Sequence, residues 1–201
     1  MSSHIFLLSP ANLGGIRAKQ LISPRAQFEA ALRYRSEEGV PIAVAFAFMS
    51  ALYFRGKIAY ALHFAKPVNV FVITPGFGLV QPDWCMNEER MKAMRGTPVD
   101  AASGRYRKPL ERDAVSLAAR IEADAHVVLL GSVATGKYVD ILLPILGPTL
   151  RFPAAFAGLG DMSRGGLMLR AVRENRELEY VSLDAPRRRP PGGSGKMPSL
   201  T

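Results

Sequence analysis

His126-Val127-Val128-Leu129-Leu130-Gly131-Ser132-Val133-Ala134-Thr135-Gly136-Lys137-Tyr138-Val139-Asp140 is the stretch that decides the fold. Its apolar run has the composition of a buried strand, the glycine-bounded turn after it is made of small residues, and a helix carrying Lys137, Tyr138 and Asp140 follows. Strand, turn and helix in this order place a ligand site at the carboxyl end of a strand in an open α/β sheet. Two other junctions repeat the pattern. His4 to Leu8 is an apolar run entering the loop Ser9-Pro10-Ala11-Asn12-Leu13-Gly14-Gly15, and Asn69 to Thr74 is a β-branched run entering Pro75-Gly76-Phe77-Gly78-Leu79. The predicted fold is a single α/β domain over residues 1–184, with a mixed, mostly parallel sheet flanked by helices, followed by a disordered basic tail over 185–201.

The rest of the chain supplies the helices. Pro24 is expected to open one that buries Phe28, Ala31 and Leu32 and ends near Gly39. Residues 41–52 are apolar on every side and predict a buried helix, which Tyr53 to Ala65 continues past Arg55, Gly56 and Lys57. Residues 81–106 lose periodicity around a short helical piece near 87–95, as a lid or binding loop does, and Trp84 within them either pins the loop or stacks on a ligand. Pro109 to Ala123 is amphipathic. A helix over 138–146 is bent or stopped at Pro144, Leu150-Arg151-Phe152 is a short strand, and Leu178 to Leu183 closes the chain as another. Between these, Asp161 or Ser163 is expected to cap a helix reaching Asn175, whose amino end, with Arg164, suits an anion.

Composition excludes a disordered chain: 48% of the 201 residues are hydrophobic and mean hydropathy is +0.08. The formal charge of +9 includes Arg187, Arg188, Arg189 and Lys196 of the tail, and a basic body with a basic arm suits DNA or nucleotide phosphates as partners. The single cysteine, Cys85, forms no internal disulfide, and no His or Cys cluster has metal-ligand spacing, so neither metal nor cofactor is expected. The longest uncharged run, Val40 to Phe54, is short for a bilayer span, and no secretion signal opens the chain; the expected location is the cytoplasm, away from membranes.

Three kinds of chemistry suit these residues. Gly131, Gly136 and Lys137 have the G-x-x-x-x-G-K spacing of a phosphate-binding loop, but Tyr138 stands where a magnesium-binding hydroxyl belongs, so the loop is a degenerate one. Asp140 and Asp161 are the carboxylates nearest the candidate loops, and either could serve as acid or nucleophile on an N-glycosidic bond. His4, His63 and His126 sit at strand starts or within a helix, as structural histidines do. A pocket lined by Ser9, Asn12, Gly78, Gly131, Ser132, Gly136, Lys137, Tyr138, Ser163 and Arg164 would take a nucleobase or nucleotide. Oligomeric state and reaction stay open at this level.

Three separated segments carry a resemblance. Leu7-Leu8-Ser9-Pro10-Ala11-Asn12, Pro75-Gly76-Phe77-Gly78-Leu79-Val80-Gln81-Pro82 and the run from Gly158 to Asn175 with Met162-Ser163-Arg164 are similar, in this order, to segments of the bacterial YaaA-like peroxide-stress proteins. Ser9, Pro10, Gly78, Pro82, Ser163 and Arg164 match residue for residue, while Asn12 stands where that family has lysine. The resemblance implies a YaaA-like α/β fold, related in layout to proteins that handle nucleobases, and a role near DNA under oxidative stress.

Overall fold

The structure, a computed structural model, describes residues 4–122 and 124–183. The basic tail over 185–201 lies outside them. Strand β1 (His4–Leu8) sends successive side chains to opposite faces of the sheet, and each set meets its own layer of helices. Phe6 and Leu8 enter one core, Ile5 and Leu7 the other. Helices α1 (Ile16–Leu21) and α2 (Glu29–Arg35) follow, then a two-residue strand β2 (Val40–Pro41) and the long helix α3 (Ile42–Phe64). Strands β3 (Val70–Thr74) and β4 (Gly78–Val80) form a hairpin, and β5 (Cys85–Met86) pairs with β2 in a small second sheet. Helices α4 (Glu88–Arg95) and α5 (Gly104–Ala118) lead to β6 (His126–Leu130). Helix α6 (Val139–Leu146), strand β7 (Leu150–Pro153), helix α7 (Asp161–Arg173) and strand β8 (Tyr180–Ser182) complete the described chain.

The main sheet has the order β4-β3-β1-β6-β7-β8. Its four central strands are parallel and its two edge strands antiparallel, so the predicted mixed, mostly parallel α/β fold is the observed one. Residues of α1, α3 and α7 pack on the face of Phe6, Leu8, Val72, Val128 and Leu130, and residues of α5 and α6 on the face of Ile5, Leu7, Ile73, Val127 and Leu129. From β1 the chain crosses through α3 to β3 on one side; from β3 it returns through α5, on the other face, to β6 on the opposite side. Such a reversal opens a crevice at the carboxyl ends of the two strands that flank it, here β1 and β6.

Among the described residues α3 is the one helix long and apolar enough to cross a membrane by length and composition. Its Ile42, Phe46, Phe54 and Tyr60 are fully buried in the protein core, the placement of an interior helix. It breaks once, at Ala51, where φ 45° and ψ −121° leave the helical region for one that residues with a Cβ rarely adopt. Beyond the break α3 crosses α7 in backbone contact. A Cβ on Gly165 would lie 2.7 Å from the Leu52 carbonyl oxygen and 2.9 Å from Tyr53 Cα, and one on Gly56 would lie 2.7 Å from the Gly165 oxygen.

Several boundaries differ from expectation for identifiable reasons. Helix α2 begins after Phe28 rather than at Pro24 and buries Ala31 and Tyr34, leaving Phe28 and Leu32 exposed. After the loop from Ser9 to Gly15 comes α1, a helix that was not expected, six residues long and too short to carry a periodic signal. Helix α5 starts at Gly104 and tolerates Pro109 in its second turn at the loss of one backbone hydrogen bond. Neither Asp161 nor Ser163 caps α7; Gly160 holds that position without a side-chain bond. Trp84 pins its loop: the ring lies 5.2 Å from Phe77 and the Arg90 guanidinium 4.6 Å above it.

The histidines are structural. His4 Nδ1 pairs with Glu177 Oε1 at 2.9 Å, His63 Nε2 meets Asn175 Oδ1 at 2.8 Å, and His126 stacks on His4 at 5.6 Å. Glu177 also accepts from the Tyr180 hydroxyl at 2.8 Å, and Tyr180 meets the Tyr60 hydroxyl at 2.6 Å. This network fastens β8 to α3 at the end of the sheet opposite the crevice.

The contact at Gly165 yields a direct test. Gly165→Ala should lower unfolding free energy by about 1–3 kcal/mol in urea titrations, because backbone faces the new methyl and cannot yield as a side chain would. A loss below about 0.5 kcal/mol would contradict the packing described.

Candidate functional site

The crevice between β1 and β6 is a cavity of about 580 Å³, a size common for small-molecule sites. Ser9 and Asn12 reach it from the loop after β1, Pro75 from the β3–β4 turn, and Ser132, Lys137 and Tyr138 from the turn after β6. Ser50 and Tyr53 come from either side of the break in α3, Arg95 and Thr97 from the end of α4, and Asp161 from the first turn of α7. The irregular segment over 81–106 thus supplies a wall of the cavity.

Beneath the cavity floor lies a lysine. Lys57, on the second half of α3, is only 1% exposed, and Nζ donates to Ser9 O at 2.6 Å and to Ser9 Oγ at 2.9 Å. Its ammonium position lies 4.2 Å from the Tyr53 ring centroid and 4.9 Å from that of Phe54. No carboxylate forms a salt bridge with it among the described residues. Burial pulls its pKa from the ordinary lysine value down to about 7; Asp161 opposes this shift and the like charge of Lys137 adds to it.

The Ser9 backbone is set by the strand pair. Ser9 N donates to Leu130 O at 3.2 Å, and a Cβ on Gly131 would lie 3.0 Å from Ser9 Cβ, so the glycine after β6 makes room for the serine after β1. Two phenols flank the hydroxyl. Burial raises the pKa of both Tyr53 and Tyr138; the Arg164 guanidinium and, more weakly, the Ser9 hydroxyl offset part of the rise at Tyr53, and the Ser9 hydroxyl part of that at Tyr138. Tyr53, 9% exposed, has a buried hydroxyl oxygen with no well-formed hydrogen bond. Ala51, beside Ser50, holds a conformation that typically costs about 1–3 kcal/mol, and such strain tends to gather at functional sites.

Of the residues singled out in the sequence, Ser9, Asn12, Ser132, Lys137, Tyr138 and Asp161 come together around this cavity, with Gly131 directly behind Ser9. The others do not. Gly78 lies on β4, where a Cβ would fall 2.1 Å from Asp113 Oδ2; that carboxylate accepts from Leu79 N at 2.9 Å, so this glycine admits a structural contact. Asp140 is exposed on the first turn of α6, and its carboxylate fills the space a side chain at Gly136 would need. An anion packed on Gly136, together with a buried Tyr138, leaves the turn unlike a phosphate cradle. Ser163 is exposed away from the cavity. Arg164 is outside the lining: its guanidinium goes to Phe156 O, at 3.2 and 3.1 Å, and over the Phe156 ring at 5.4 Å, though it lies near enough to Tyr53 to lower that phenol's pKa.

Sequence reasoning missed Lys57, Tyr53, Ser50, Arg95 and Thr97. The signal for the first two was present: one lysine inside an apolar helix, four residues after a tyrosine and three before another, shares a helical face with both.

The cations facing or underlying the cavity, Arg95, Lys137 and Lys57, outnumber its one carboxylate, Asp161, which favours an anionic ligand. Hydroxyls and the Asn12 amide supply further donors, although Asn12 Oδ1 already accepts from Gly14 N at 3.0 Å.

Stability should report the buried amine. A lysine whose folded pKa is near 7 binds fewer protons folded than unfolded between about pH 7 and pH 10, so stability should rise with pH across that interval and be independent of this group below it. The buried tyrosines act in the opposite sense only near and above pH ~10, where unfolded phenols ionise. Urea unfolding between about pH 7 and pH 9.5 should show this slope, and Lys57→Met should flatten it; an equal slope in the variant would assign it elsewhere.

In comparison with known proteins, the chain matches no family model, no curated protein and no solved structure.

Proposed function

We propose that this protein binds a nucleotide or nucleobase in the crevice between β1 and β6, as a cytoplasmic, DNA-associated protein of the YaaA-like bacterial stress type. The observation that carries the proposal is the cavity itself: about 580 Å³ at the switch point of a parallel sheet, with Lys137 and Arg95 on its walls. A base-sized apolar body fits beside Met94, Val99 and Tyr53, while an anionic end fits the two cations. The formal charge of +9 supports association with DNA. The resemblance at Ser9-Pro10 supports the family reading, because that dipeptide forms part of the cavity rim.

A second reading gains from one observation. Asp161 lines the cavity whereas Asp140 does not, so cleavage of an N-glycosidic bond would use Asp161 as acid or nucleophile.

A melting-temperature screen against nucleobases, nucleosides and nucleotides separates these readings from a merely packed crevice. A ligand at 100 times its dissociation constant stabilises by about 2.7 kcal/mol, which for a chain of this size raises Tm by roughly 5 °C or more. Lys137→Ala should weaken binding of a phosphorylated ligand by about 10-fold or more while leaving the melting temperature of the free protein nearly unchanged. A complete absence of shifts across the panel would overturn the binding reading, and release of free base from a nucleoside, lost in Asp161→Asn, would favour the second.

A further inference from the structure

We propose that Ser9 is a nucleophile and Lys57 its general base, and that the crevice transfers the acyl group of a small ester or amide. This goes beyond ligand binding and does not depend on the ligand being a nucleotide.

The argument begins with the cost of hiding an amine. A fully buried lysine without a carboxylate partner is expensive to keep charged, and the arrangement around Nζ also suits the neutral form. An uncharged amine has two N–H groups and one lone pair. One N–H can stay on Ser9 O at 2.6 Å, while the 2.9 Å contact to Ser9 Oγ reverses so that the lone pair takes the hydroxyl proton. That separation lies within the reach required of a general base. With burial holding Lys57 near 7, both protonation states are populated at neutral pH.

Position points the same way. Ser9 lines the cavity, while Lys57 lies behind it and is not part of the lining, so a ligand meets the hydroxyl and not the amine. A strand-capping role for Lys57 accounts for the bond to Ser9 O. The second bond places the amine on Oγ, the one Ser9 atom able to act as a nucleophile.

The steps balance without a further reagent except water. Ser9 Oγ attacks the carbonyl carbon as its proton passes to Lys57 Nζ, and the carbonyl electron pair moves onto the carbonyl oxygen. The tetrahedral adduct collapses, breaking the C–O or C–N bond, and the leaving group takes the proton from the Lys57 ammonium. Water then attacks acyl-Ser9, gives its proton to Lys57, and releases the carboxylic acid as that proton returns to Ser9 Oγ.

The test treats the full chain with a fluorophosphonate, which a nucleophilic serine displaces at phosphorus with loss of fluoride, and locates the adduct by peptide mass spectrometry. One adduct is expected, on Ser9, at a rate that rises with pH to a plateau with its midpoint near 7. Lys57→Met should slow labelling by roughly 100-fold or more. No Ser9 adduct between about pH 6 and pH 9 overturns the proposal, as does unchanged labelling in a Lys57→Met variant that unfolds cooperatively. If that variant fails to fold, the wild-type profile decides: a plateau with a midpoint near 7 supports the dyad, and a rate proportional to hydroxide throughout overturns it. Nucleotide-induced melting shifts without Ser9 labelling would sink this inference alone, and labelling without such shifts would sink the binding reading alone.

Discussion

The hydrogen bonds between the buried Lys57 amine and Ser9 join the two halves of the architecture. Ser9 is the first residue beyond β1, in the middle of the parallel sheet, and Lys57 belongs to the helix that carries the chain from β1 to β3. The Lys57 amine lies near the Tyr53 and Phe54 rings, and attraction to their π faces offsets part of the penalty of desolvating its charged form. The rest of the penalty appears as a depressed pKa, so one contact fixes where the strand ends and lowers the charge beneath the crevice.

That contact requires α3 to lie close over the sheet, and the crossing with α7 keeps it there. Gly56 and Gly165 let the two backbones touch, which no pair of larger residues would permit at this separation. The same crossing brings Tyr53 and Asp161 to one cavity from elements more than a hundred residues apart in sequence. The break at Ala51 then lets Ser50 and Tyr53 both face the crevice. Strain at Ala51 sits directly beside the packed crossing, where Leu52 and Tyr53 meet Gly165.

The strands were legible because each is a short apolar run that ends at glycine, proline or serine, and the turn after β6 was legible for the same reason. Composition could not say which of the glycine loops face the crevice. Gly78 and Gly131 have the same local signature, yet one admits the Asp113 carboxylate and the other the Ser9 side chain, a distinction made by contacts 35 and 122 residues away in sequence. Arg164 suited an anion site until the carbonyl of Phe156 claimed its guanidinium. Lys57 was overlooked because charged residues in an apolar helix normally turn to solvent, as Arg55 does, and only the register of α3 on the sheet shows that Lys57 turns inward.

The most direct test of this arrangement is an NMR titration of the lysine side chains in protein labelled at lysine Cε. Lys57 should titrate near 7, well below the ordinary lysine value, and its resonance should shift in Ser9→Ala. A Lys57 midpoint at or above about 10 would mean that its amine is solvated, and the buried contact on which the crevice is built would be absent.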